Sequence, residues 1–163
     1  MDGWTETLLE RLEMARSHVL EHLEGLNDEQ LRRPVLPSGW SCLGLVKHLS
    51  LADEHYWFSC IVGGEPLSFF DDVPNEWLLD PSESAESIVG LYRDEIARSN
   101  EIIRARLIDT PIAQRDPRWA EWNMDFPTLG VVLLHVMTET DVHSGHLDAV
   151  VELLDGRQWI VLG

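Results

Sequence analysis

The sequence predicts an all-α protein, a four-helix bundle with long crossover connections. Four long stretches repeat apolar residues at offsets of three and four, and no pair of alternating segments reads as a strand hairpin. A length of 163 residues at 44% apolar composition suits one domain, 1–163, with a full-sized core. Helices of this length joined by long connections after the second and third fit a bundle with crossovers.

The first stretch, Thr5 to Glu24, places Leu8, Leu12, Ala15, Val19, Leu23 and Leu26 on one stripe, and Gly25 is its expected stop. Asn27 and Gln30 stand where a capping box opens a short turn. Pro34 to Gly39 reads as irregular. The second helix is expected from the N-cap Ser41 to Gly63-Gly64, with Leu45, Leu49, Ala52 and Tyr56 among its apolar positions. A loop follows from Glu65 to Leu79, with Pro66, Pro74 and the pair Asp71-Asp72. For the third helix, Asp80 is read as the cap, Pro81 as N1 and Glu83 as N3, with the pattern continuing through Ile88, Leu91, Ile96, Ile102 and Ile103 to about Leu107. The loop Asp109 to Asp125 carries Trp119 and Trp122, which anchor the loop or cap a pocket. The fourth helix is expected from Asp125 or Thr128 to Asp155-Gly156, before an apolar tail from Arg157 to Gly163.

Composition excludes several partners. A formal net charge of −17 argues against nucleic acid and anionic membrane surfaces, which call for basic patches. No uninterrupted apolar run long enough to span a bilayer occurs, and the start MDGWTETLLERLEMARSH has no signal-type pattern, so a cytoplasmic protein is expected. Cys42 and Cys60 lie 18 residues apart on one expected helix, roughly 27 Å at 1.5 Å per residue, too far for an internal disulfide.

Histidine placement carries the functional signal. On the fourth helix His135, Glu139, His143 and His146 fall on one narrow stripe that holds no Lys or Arg. That stripe is either a solvated face or a buried polar site. Glu139 and His143 are one turn apart, and His48 on the second helix completes a set of two imidazoles and one carboxylate. Such a set holds one divalent metal through three protein ligands and keeps positions open for chemistry. His55, seven residues after His48, is expected on the same face, lining the mouth of a substrate pocket with His146. His146 orients a ligand, shuttles a proton or supports the metal. His18 and His22 are also four apart, but beside Glu21 and Glu24 they read as a solvated face. No His has Glu three residues before it, as a di-iron bundle requires, and no HExxH, GxSxG, Walker loop or GxGxxG occurs.

The runs GWSCLGLVKHL and HVMTETDVHSGHLDAVVELLDG resemble the DinB-like superfamily, in particular the branch with mycothiol-dependent maleylpyruvate isomerase. The matching positions are His48 on the second helix, then Glu139, His143, Gly145, His146 and Asp148 on the last, flanked by Trp40-Ser41 and Asp155-Gly156. The resemblance implies His48, Glu139 and His143 as ligands of one divalent ion, zinc first with nickel or iron as alternatives. It also implies a low-molecular-weight thiol such as mycothiol as cosubstrate, a small-molecule substrate, a thiol-dependent S-transferase or isomerase, and a homodimer. A hydrolase acting through metal-activated water needs the same ligands, and a non-enzymatic metal- or small-molecule-binding stress-response module is the third reading. Asp141-Val142 and Val151 stand where relatives carry arginine, so the substrate is not inherited with the ligands.

Overall fold

The computed structural model describes residues 3–67 and 75–159, apart from the side chain of Trp122. The Asp71-Asp72 pair, Pro74 and the tail from Ile160 onward lie outside the described residues. The regular elements of the described chain are all helical. Its elements are α1 (Gly3–Leu23), α2 (Asp28–Arg32), α3 (Cys42–His48), a π-wound segment (Leu49–Val62) that continues α3, α4 (Ala85–Arg104), α5 (Trp119–Trp122) and α6 (Leu129–Asp155). Among the described residues no strand forms, and one isolated bridge joins Pro111 to Thr128. None of these helices is long and apolar enough to cross a membrane. Cys42 and Cys60 are free and buried.

Local chemistry explains most boundaries. The Asn27–Gln30 capping box forms, with bonds of 3.0 and 2.9 Å, and Ser41 Oγ accepts from Gly44 N at the start of α3. Gly156 ends α6 at φ 82°, a left-handed conformation that suits glycine. The third entry differs from expectation. Asp80 and Glu83 close a separate turn on each other, with Asp80 N donating to Glu83 Oε2, and Lys47 Nζ draws the Glu83 carboxylate to α3 at 2.9 Å. The helix is capped four residues later, with Ser84 Oγ accepting from Ser87 N at 3.0 Å. The Asp80–Glu83 box therefore closes a turn ahead of the helix instead of opening it.

The second helix is unusual in its winding. From Leu49 onward its hydrogen bonds run from i to i−5, and Gly63 N still donates to Phe58 O at 2.8 Å. Wider winding changes which residues share a face, because positions five apart now stack.

Packing divides the bundle into two apolar halves. One gathers Val19, Leu23, Leu45, Leu49, Ile88, Tyr92, Leu147 and Val150. The other gathers Leu9, Leu12, Tyr56, Trp57, Phe58, Ile103, Leu129 and Val136. On each long helix the switch from one half to the other falls at buried polar residues: Arg16 on α1, Asp53 and Glu54 on the π-wound segment, Ser99 and Asn100 on α4, and Thr140 on α6. A transverse polar layer therefore crosses the bundle. Arg16 and Glu54, 1% and 0% exposed, meet there in a two-bond pair of 2.7 and 2.6 Å, and Arg16 also donates to Asn100 Oδ1 at 2.8 Å.

Candidate metal site and pocket

At the edge of the polar layer, between α3 and α6, the structure brings His48, Glu139 and His143 together. The rings of His48 and His143 meet edge-on with centres 5.1 Å apart, and His143 Nε2 lies 4.0 Å from Glu139 Oε2. Two imidazoles on one tetrahedral ion, with nitrogens about 2.1 Å from it, put their ring centres roughly 5 Å apart. Neighbouring ligand atoms on such an ion lie about 3.4 Å apart, and the ligand atoms of these three residues do not all lie within 4.8 Å of one another, so the side chains would have to draw together to share one. In kind, two imidazoles and one carboxylate are donors that a zinc-class ion takes.

The supports fit as well. His48 Nδ1 is 3.2 Å from Glu76 Oε1, an outer carboxylate that fixes the ring and leaves Nε2 for the site. Trp77 stacks on the His48 ring, with centres 4.0 Å apart and 17° between the planes, and also meets the His143 ring edge-on at 5.7 Å. His143 Nδ1 is buried with no hydrogen-bond partner among the described residues. Burial, then the nearby His48 and His146, lowers the His143 pKa to about 4. His48 is lowered by burial too, against the opposing pull of Glu76 and Glu139. Neutral imidazoles are the form a metal binds. In metal-free protein the His143 ring signals are expected to move with pH near 4; movement near 6.5 would contradict its burial. Between those values the unfolded chain binds more protons at this residue than the native one. Its contribution to stability is thus complete above about pH 6.5 and shrinks as pH falls towards 4.

His48 and Glu139 open onto a cavity of about 270 Å³, lined also by Asp53, Tyr56, Trp57, Arg118, Trp119 and His135. Trp57, Phe126 and His135 pack ring to ring, with centres 4.5 to 4.8 Å apart, and Trp57 stacks on Trp119 at 5.5 Å. Trp119 is anchored as well as lining, since its Nε1 donates to Tyr56 Oη, which donates to buried Asp116 Oδ2, both at 2.9 Å. Asp53 faces the cavity from five residues beyond His48, a product of the π winding. Burial, then the charges of Glu54 and Glu139, raise its pKa well above the usual carboxylate range. A broader cleft of about 530 Å³ between Gly3–Thr7 and Leu107–Asp109 has Asp109 as its one ionisable side chain, which makes it a poor seat for chemistry.

Two expected pocket residues lie elsewhere. His55 does not line the cavity, because seven residues of π winding do not return to the face of His48. It pairs with Glu95 at 3.2 Å, and hydrogen bonds to Cys60 and Glu95 raise its pKa to about 10. His146 is exposed and outside the cavity, its ring 5.7 Å from that of His143. Sequence reasoning missed Glu76, Trp77 and Asp53. The first two sit in a loop without periodicity, and Asp53 shows its role only once the winding is known.

Gly44 explains how that loop is seated. A Cβ there would lie 2.6 Å from the Trp77 carbonyl oxygen. Gly44→Ala is expected to destabilise the fold by about 1–3 kcal/mol in urea titration, because backbone must move. An unchanged midpoint would show that the loop does not need this close approach.

The reading of His18 and His22 as a solvated face is overturned. His22 is 5% exposed, and both imidazoles turn towards Asp148 on α6. Among the described residues this trio is the group whose metal-ligating atoms all lie within 4.8 Å of one another. The signal was available as an (i, i+4) pair, but its partner lies more than a hundred residues away.

Among the described residues, then, the class of protein is an all-α bundle with imidazoles and a carboxylate beside an aromatic-lined cavity. Residues 7–156 match the family model of mycothiol-S-transferase, and the chain belongs to that family. No curated protein and no solved structure matches it.

Proposed function

We propose that the protein is a metal-dependent thiol S-transferase, with His48, Glu139 and His143 holding one divalent ion, zinc first, and mycothiol as the expected thiol. The observation that carries this reading is the meeting of His48 and His143 at a spacing that suits one ion, with Glu139 beside them and a cavity in front. A bound ion supplies Lewis acidity that favours ionisation of a thiol whose free pKa is about 8.5. Glu76 and Trp77 hold the His48 ring, while Trp57 and Trp119 keep water from one side of the reacting sulfur. The thiol proton leaves to solvent past the half-buried Glu139, and sulfur bonds to the electrophile as the leaving group departs with its electron pair. Asp53, whose burial favours the protonated form, lines the same cavity and in that form would donate a hydrogen bond to that leaving group.

The test is conjugation of mycothiol, bacillithiol or glutathione to chlorodinitrobenzene by zinc-loaded protein. Thiol-dependent turnover that disappears on chelation supports the reading. Absence of turnover with all three thiols rejects it, and ester hydrolysis without thiol would favour metal-activated water at the same residues. We also infer a homodimer through the exposed apolar stripe Val131, Leu134, Val142 and Leu153 of α6. Light scattering at the monomer mass would reject pairing.

A further inference from the structure

We infer that His18, His22 and Asp148 form a second divalent-cation site, separate from His48, Glu139 and His143, which ties α1 to α6. His18 Nε2 lies 3.0 Å from Asp148 Oδ1, and His22 Nε2 meets the same oxygen. The key bond is on the far side of the His22 ring, where Nδ1 is 2.7 Å from the His18 carbonyl oxygen. A carbonyl only accepts, so Nδ1 carries the proton and Nε2 of the neutral ring is a lone pair. That lone pair faces a carboxylate oxygen, which is also an acceptor. A positive charge belongs between them, either a proton or a metal ion around which the ligands open. An Nδ1–H bonded to a backbone carbonyl, with Nε2 turned to the ion, is the arrangement metal-ligating histidines use.

The surroundings suit an ion of the zinc class, which takes imidazole nitrogen and carboxylate oxygen together. His22 is buried, so its ring is held in place, and Trp159 covers the pair with ring centres 4.1 Å from His18 and 5.4 Å from His22. Asp148 is partly exposed and free to adjust its oxygens. Arg157 lines the cleft on one side of the site but is paired with Asp155 at 2.7 Å, and the chain as a whole carries a formal charge of −17. Asp148 follows His143 by five residues, about 140° around α6, so the two centres lie on different faces of that helix. Three protein ligands leave one position for water or an added ligand.

The competing arrangement is an imidazolium at His22 with both rings donating to Asp148, and zinc titration separates the two. Metal-free protein is titrated with zinc by equilibrium dialysis with elemental analysis, in the full chain and in the His48→Ala/Glu139→Ala background. The full chain is expected to bind two equivalents and the background one. Adding His22→Gln or Asp148→Asn to the background should lower its zinc affinity at least tenfold. Because His22→Gln could unfold the chain, nitrogen NMR of the histidine rings in the folded background supplies a second readout. Zinc should shift the Nε2 signals of His18 and His22. Zinc-insensitive signals, or a background that binds no zinc, would overturn the second site. One equivalent that resists His48→Ala/Glu139→Ala yet is lost with His22→Gln would support it and reject the metal assignment made for the transferase reading.

Discussion

Replacing Arg16 by methionine is expected to cost about 3–5 kcal/mol of stability, the penalty for leaving one charge of a buried pair without its partner. Glu54 would stay in the polar layer at 0% exposure, having lost two charge-assisted hydrogen bonds, and Asn100 would lose a third. Against a typical total of about 5–15 kcal/mol, that is a large fraction of the fold. The pair itself contributes far less than its removal costs, since two ions were desolvated to make it. The double variant Arg16→Met/Glu54→Leu should therefore recover most of the loss. Urea titration of both variants checks this. A single-variant loss of less than about 1 kcal/mol, the size of an exposed pair, would show that Glu54 finds water or another partner. Additive losses in the double variant would show that the two residues act separately.

The second large effect concerns the proposed transferase centre. His143→Ala or Glu139→Ala is expected to lower zinc affinity there by more than the about 10–100-fold that loss of an outer partner costs. Glu76→Gln supplies the comparison, because it touches only the far nitrogen of His48 and should fall within that outer-partner range. Titration against a chromophoric chelator, in protein carrying Asp148→Asn at the partly exposed carboxylate so that the two centres do not overlap, reads both values. Equal affinity in Glu139→Ala and the parent would remove that carboxylate from the ligand set. The ranking matters more than either figure, since a merely structural Glu76 would leave zinc affinity unmoved.

Much of the fold was readable because its information is local. The four apolar periodicities, the Asn27–Gln30 capping box and the Gly156 stop each arise within one or two helical turns. Glu139 and His143 were readable for the same reason, as residues one turn apart on one helix. The Asp80 entry failed because Ser84, four residues on, offers an equally local cap and takes the helix start, while the Asp80–Glu83 box closes only a turn. His55 failed because no periodicity in Leu49–Val62 announced an i→i−5 winding. His18 and His22 looked like solvated residues, since a polar side chain on a helix is usually exposed unless something distant pairs with it.

What the sequence determined by itself is an acidic, all-α chain with a two-histidine, one-carboxylate set distributed over its second and last long helices. Tertiary structure decided the rest: that a polar layer divides the core, that Glu76 and Trp77 hold His48, and that Asp53 rather than His55 faces the cavity. It also turned His18 and His22 inward onto Asp148. Helix periodicity is set by neighbours three and four residues apart, whereas the state of a buried polar group is set by whichever partner the fold brings to it.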